Sequence, residues 1–443
     1  MKYVGRLRKK LITAIKHVCS ERNTCFVSPK RDFTRSSSSK ISPQDIFKCL
    51  LTMESSSLSH ELLNYFDYST NIPTKSAFVQ ARAKIRSEAF GSLFDKFNAL
   101  SSEIKLFKGF RLLACDSSDI HIPTNKSDAD SFISGKTGSK PYNMLHLNAL
   151  YDLLSHTYTD VIIQKKHCSN EHSALISMAQ RHFIDLEQII VIADRGYESY
   201  NTFAHFNEAG QNFLIRIRDS KNCIMSGLDL PEGEFDKLIT FKLVRKQTNA
   251  IKKQLLSDPY LKFIFSSCTF DFLPSKNKKS EPTVIYELPV RIVRFKISDD
   301  SYEVIATNLS EDLFSSDDLK MLYSIRWGIE TSFRDLKYTV GLRYFHAKKT
   351  ESILQEIYAR LIMYNFSELA VSHTAVQPND RKWSYRINFS HAVHVCRNFL
   401  LKRVPLSSVE VLIAADILPI RTGKNNPRAP SQKHAAYFIY RIA

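Results

Sequence analysis

Apolar residues recur at helical spacing through the first hundred positions and at strand spacing after Phe110. Residues 6–19 form a basic amphipathic helix, and a Ser-rich loop follows at 35–40. Ser42 before Pro43 makes an N-cap and first turn for a helix running through Leu51. Thr74 caps the next helical stretch, in which Phe78 and Ile85 are core while Lys75, Arg82 and Arg86 take polar positions. Such a face suits a helix lying on DNA, or one that is simply solvated.

From residue 110 the pattern changes to alternating strands and helices. Residues 111–115 are an apolar run ending at Asp116, and 145–154 with 157–164 predict a hairpin around Ser155-His156. A helix over 171–183, a buried strand over 188–193 ending at Asp194, a helix over 199–209 and a strand over 212–218 follow. Strand, hairpin, helix, strand, helix, strand is the order of a ribonuclease-H-like domain. Four β-prone runs (239–244, 261–272, 283–297 and 302–308) around a basic loop at 274–282 then predict a β-rich insertion over about 219–310. Ser316-Asp317-Asp318 caps a long helix through Val340, and 351–370 is a second helix. The last stretch is basic and partly helical, with a disordered or strand-like tail at 421–428, and no internal repeat is visible.

At 443 residues, 43% hydrophobic and 24% charged, the chain has the make-up of a globular protein of two or three domains. Its formal net charge of +17 favours a polyanion as partner, nucleic acid before an anionic membrane. No run approaches the ~20 apolar residues of a membrane span, and Lys16 and His17 interrupt any secretory apolar stretch. The eight cysteines are scattered without a C-x-x-C pair, which points to reduced, mostly buried thiols in a cytoplasmic protein. The expected architecture is α/β. A helical DNA-binding region covers 1–100, a ribonuclease-H-like core with its insertion covers 105–375, and a basic C-terminal region covers 376–443.

The predicted long helix carries Tyr323, Arg326, Glu330 and Lys337 in the pattern Y-x2-R-x3-E-x6-K. At about 100° per residue they fall near about 0°, 300°, 340° and 320°, on one narrow face beside an apolar stripe. Such a face either borders a site or is a solvated surface with an Arg326–Glu330 pair. Asp116 and Asp194 each follow an apolar run, where adjacent strands can bring their carboxylates together; a turn or helix cap is the ordinary alternative for each. Three clustered carboxylates repel one another until divalent cations relieve them, and oxygen-only ligands favour magnesium or manganese over zinc. That is the equipment of two-metal phosphoryl transfer.

Taken together, these segments resemble a bacterial insertion-sequence transposase of the D-D-E type, in the insertion-sequence-four group that carries the Y-R-E-K pattern. Asp116-Ser117-Ser118 and Asp194-Arg195-Gly196-Tyr197 are similar to the first and second acid segments, and Tyr323, Arg326, Glu330 and Lys337 to the third. Asn388-Phe389-Ser390 and 421–430 are similar to late features of the group. The resemblance spans about residue 74 to the end. It implies a ribonuclease-H-like core with an insertion before Glu330, and Asp116, Asp194 and Glu330 as catalytic ligands of two Mg2+ or Mn2+ ions. It also implies that Tyr323, Arg326 and Lys337 hold DNA phosphate. Lys136, Lys140 and His146 are further candidates for the DNA backbone, alongside Lys75 and Arg82; Asp119 ranks second to Asp116. The implied partners are the element's terminal inverted repeats and target DNA, held by a homodimer on paired ends and moved by cut-and-paste in a bacterial cytoplasm, on the nucleoid. In relatives that seal the flank as a hairpin, an aromatic of the insertion holds a flipped base. Here Trp327 and Trp383 both lie outside it, leaving Tyr260, Phe265, Phe270 and Phe272. A ribonuclease-H-like nuclease without joining activity and a non-catalytic DNA-binding regulator are the alternative readings.

Overall fold

The computed structural model describes residues 2–34, 40–101, 104–135, 140–183, 188–220, 223–274, 282–298, 301–375 and 384–420. Most of the Ser-rich loop, the basic loop of the insertion, Lys136, Trp383 and the tail from 421 onward lie outside them.

The amino-terminal part is helical: α1 (Tyr3–Ser20), α2 (Arg22–Cys25), α3 (Pro43–Thr52), α4 (Leu58–Tyr65), α5 (Lys75–Arg82) and α6 (Ser87–Ser101). Two of the predicted caps are in place, whereas the helix expected to be capped by Ser316 is capped one residue earlier, by Ser315 with Asp318. Ser42 and Asp45 form a capping box at α3, and Thr74 accepts the Ala77 N–H at α5. Strands and helices then alternate through β1 (Arg111–Ile122), β2 (Phe132–Ile133), β3 (Tyr142–Asp152), β4 (Thr157–Lys165), α7 (Glu171–Phe183), β5 (Ile189–Ala193), α8 (Tyr200–Glu208) and β6 (Asn212–Ile217). The insertion contributes β7 (Phe235–Val244), α9 (Asn249–Ser257), β8 (Leu261–Phe263), β9 (Tyr286–Ser298) and β10 (Ser301–Thr307). The chain ends in α10 (Ser316–Ile325), α11 (Trp327–Tyr338), α12 (Thr350–Ser372), β11 (Tyr385–Ile387), α13 (Phe389–Leu400), α14 (Val409–Ala415) and β12 (Ile417–Pro419).

One sheet of ten strands forms the middle, in the order β2-β3-β1-β5-β6-β10-β9-β7-β8, with β4 also on β3. β4-β3-β1 are antiparallel, whereas β5 and β6 run parallel to β1. This is the ribonuclease-H-like arrangement. The insertion strands extend that same sheet, because β10 pairs antiparallel with β6, Ala306 opposite Ile215. The insertion also holds a helix, α9, and only the first three residues of the 261–272 run form a strand.

Side chains alternate across β1. Leu112, Ala114 and Ile120 join one core with α1, α6 and α12, while Leu113 and Cys115 join the other with α7 and α8. α12 is buried almost all round, as a helix sandwiched between the amino-terminal helices and the sheet must be. The predicted long helix is two helices. At Arg326 the N–H donates to Tyr323 O, and Ile329 N–H donates to Arg326 O, so the turn tightens to three-residue bonds there. α11 packs on β1, and a Cβ on Gly328 would lie 3.1 Å from Leu153 Cδ2 just after β3, tight enough that Leu153 would have to give by a few tenths of an ångström.

Candidate functional site

Parallel pairing of β1 and β5 sets Cys115 opposite Ala193, so the next residues, Asp116 and Asp194, emerge side by side. β1 does not stop at Asp116: its antiparallel pairing with β3 carries it on to Ile122. Asp194 does end its strand. It caps the tight turn 195–197 and accepts the Gly196 N–H at 2.8 Å. A Cβ on residue 196 would fall 2.9 Å from Asp194 Oδ1, so glycine is needed here to leave room for the carboxylate. Gly196→Ala is therefore expected to turn the Asp194 carboxylate away and cut DNA cleavage by at least about tenfold, the scale of a disturbed supporting contact. Unchanged cleavage by the folded variant would remove Asp194 from the reacting centre.

From α11, Glu330 faces the two aspartates. Burial pushes the Asp116 carboxyl up to about 6; the Ser117 N–H, which donates to it at 2.7 Å, and Arg326 oppose that rise, while Asp194 and Glu330 add to it. The three acids thus lie within electrostatic reach of one another. Arg326 is buried at the α10–α11 junction and donates to Glu330 Oε1 at 2.9 Å. Its guanidinium carbon lies 5.4 Å from the Tyr323 ring centre and 5.1 Å from that of half-exposed Trp327. Burial works against the Arg326 charge, but Tyr323, Glu330 and Asp116 hold its pKa above the ordinary value. The Arg326 Nε is buried and has no hydrogen-bond partner. Burial lowers the pKa of half-buried Lys337, which lies within reach of Asp119 and Asp116.

Oxygen-only carboxylates clustered in this way are the donor set hard divalent cations take. Among the described residues, however, no group of three or more His, Cys, Asp or Glu side chains is gathered closely enough to hold an ion. Glu330 is drawn to Arg326, so gripping cations requires the carboxylates to close in.

A second cluster occupies the other face of β1. His146, opposite Asp119 in the β1–β3 register, is buried with Nδ1 2.7 Å from Asp119 and Nε2 2.9 Å from Glu171. Glu171 also accepts from Ser117 Oγ at 2.9 Å, and Lys166 lies 3.0 Å from Asp119. Hydrogen bonds to Asp119 and Glu171 raise the His146 pKa to about 9. His146 is therefore a buried cation between two carboxylates, and the expectation that it touches DNA backbone is corrected. Sequence reasoning missed Glu171, Lys166 and Ser117. The hydrophilic alternation of Ser117 and Asp119 was visible, but the strand register that brings His146 to them was not.

Arg82 requires the same correction. Its side chain is buried, with Nε on Gln355 at 2.7 Å and Nη1 on Glu356 at 2.8 Å, so it fastens α5 to α12 and does not face solvent. Lys75 and Lys140 are exposed.

Residues 108–366 match the family model described as Transposase DDE domain. The chain belongs to that family. It is a DNA transposase, a DNA-cleaving and joining enzyme with DNA as its partner. Transposases with this domain generally use divalent metal ions. No curated protein matches the chain. Among solved structures, it is similar to a piggyBac transposase in a synaptic complex with hairpin DNA, seen by cryo-electron microscopy. Identity is 10% and the TM-score 0.42, over 95% of this chain and 85% of that one, a likeness too loose to equate residues. Among the described residues of this DDE-domain chain, no helix is long and apolar enough to cross a membrane.

Proposed function

We propose that Asp116, Asp194 and Glu330 are the catalytic carboxylates of this transposase and hold two Mg2+ or Mn2+ ions. The observation that carries this reading is the parallel β1–β5 register, which sets two aspartates side by side facing a glutamate on the helix packed against β1. Bound there, a pair of divalent ions would activate the attacking oxygen and neutralise charge on the leaving one. The protein's own part is to hold the scissile phosphate. Arg326 offers a guanidinium whose Nε has no partner, Lys337 a half-buried ammonium, and Tyr323 a ring that steadies the guanidinium.

The pattern Y-R-E-K together with the two aspartate segments supports placement in the insertion-sequence-four group, and with it a bacterial insertion sequence moved by cut-and-paste. The remaining features of the reading are terminal inverted repeats as substrate and a homodimer on paired ends. Residues 1–100 act as the DNA-binding region, 105–375 as the catalytic core and 376–443 as a basic accessory region. Exposed Lys75 and Lys140, with Lys136, add to the DNA surface.

Arg326→Ala and Lys337→Ala test the phosphate role. Each is expected to slow cleavage by the equivalent of at least ~1.5 kcal/mol, the scale of a charge-assisted hydrogen bond. Strand-transfer and nicking assays on end-containing duplexes read this. A variant with normal cleavage per folded molecule and a large loss of thermal stability would make Arg326–Glu330 a merely structural pair.

A further inference from the structure

At the far end of β1, about two helical turns past Glu330, a group of hydrogen-bond donors gathers around two cations. Lys337 is half-buried on α11, and Arg343 is half-buried just after that helix. Arg343 acts on Lys337 as a like charge, and both act on His121 at the end of β1. His121 stacks on Tyr142 of β3, with ring centres 4.6 Å apart and planes within 5°. Arg343 lies 4.9 Å above the Tyr338 ring. Asp119 is the carboxylate that acts on both Lys337 and His121, and it is already engaged by His146 and Lys166. Among the described residues neither Lys337 nor Arg343 has a hydrogen-bonding or ion-pairing partner. Two like charges that act on one another while partly desolvated are costly unless an anion joins them.

We propose that Arg343, with His121 and Tyr142, forms a second phosphate subsite that receives the DNA backbone next to the phosphate held by Lys337. The proposal rests on the carboxylate site described above, because that site fixes which stretch of DNA passes Lys337. Burial lowers the His121 pKa, Asp119 opposes that, and Lys337 and Arg343 add to the fall; the ring offers an N–H, and Tyr142 adds a hydroxyl. Arg343 stacked on Tyr338 offers a planar fork of the kind that binds phosphate oxygens in pairs. Every member offers at least one donor, as a backbone-tracking surface requires.

The test is binding of the full chain to an end-containing duplex in Ca2+, followed as a function of salt, with Arg343→Ala and Arg343→Gln alongside the parent. Both variants are expected to weaken binding at least about fivefold and to shallow the log–log salt slope by about one phosphate. A series of duplexes, each with one methylphosphonate near the cleavage point, then locates the contact. One position should weaken the parent and leave Arg343→Ala unaffected. An unchanged salt slope in both variants, or a methylphosphonate profile identical to the parent's, overturns the proposal. Thermal unfolding separates lost binding from lost folding. Glu330→Gln run in parallel separates this subsite from the carboxylate reading. If that variant still cleaves, the carboxylate assignment fails, whereas the salt slope and methylphosphonate profile decide the subsite.

Discussion

Glu330→Gln is expected to bind element-end DNA as the parent does and to cleave it at least about a hundredfold more slowly, beyond the 10–100-fold that loss of an outer-sphere partner causes. The amide keeps the side chain's size and its bond to Arg326, 2.9 Å away in the parent, but removes the charge a cation needs. Binding survives because affinity for DNA comes mainly from Lys and Arg contacts to phosphates. Asp116→Asn should behave alike in cleavage and differ in stability. Asp116 is partly buried and faces two other acids, so removing its charge relieves repulsion and should leave the melting temperature equal or higher. Gain of stability with loss of activity is the signature of a group kept for its chemistry. Parallel gel-shift, nicking and melting measurements check this. Loss of binding in step with cleavage would make Glu330 a DNA-positioning or folding residue.

What could be read from the chain alone was whatever is local. The Ser42 and Thr74 caps, the hairpin around His156, and the strand ending at Asp194 follow from nearest-neighbour chemistry, and each lies where the pattern placed it; the strand expected to end at Asp116 instead runs on to Ile122, held by β3. The face carrying Arg326, Glu330 and Lys337 follows from helical periodicity, although the tightened turn at Arg326 does not. Pairing between distant segments was not legible. Nothing in 219–310 shows that β10 joins β6 and continues the central sheet, since a strand's neighbours are chosen by tertiary packing. The same limit explains Arg82 and His146. Both are polar residues at positions that look solvated in one dimension, and both turn out to be buried against carboxylates contributed by remote elements. A charged residue in an amphipathic pattern reads as surface unless its partner is known.

Arg82 gives the largest expected stability effect away from the reacting centre. It sits buried between α5 and α12, bonded to Gln355, Glu356 and the Ser352 carbonyl. Glu356 is buried as well and takes the His346 backbone N–H at 3.0 Å. Burial alone would raise the Glu356 pKa, but Arg82, His346 and Arg360 outweigh it and hold it near about 2. Arg82→Ala leaves that carboxylate buried without its main partner, so a loss of about 3–5 kcal/mol is expected. Arg82→Met with Glu356→Leu removes both charges and should recover much of it, as apolar replacement of a buried pair often does. The sign with pH follows from the lowered carboxyl. The stabilisation is complete above the ordinary value of 4.5 and is lost as pH falls toward about 2. Acid unfolding of the parent should therefore steepen across that window, and Glu356→Gln should flatten that part of the curve. Because Arg82 is tied to α12 and turned from solvent, its loss should leave the salt slope of DNA binding unchanged in the folded fraction. An Arg82→Ala chain that melts within ~1 kcal/mol of the parent, the range of an exposed ion pair, while its salt slope drops by one phosphate, would return Arg82 to the DNA surface.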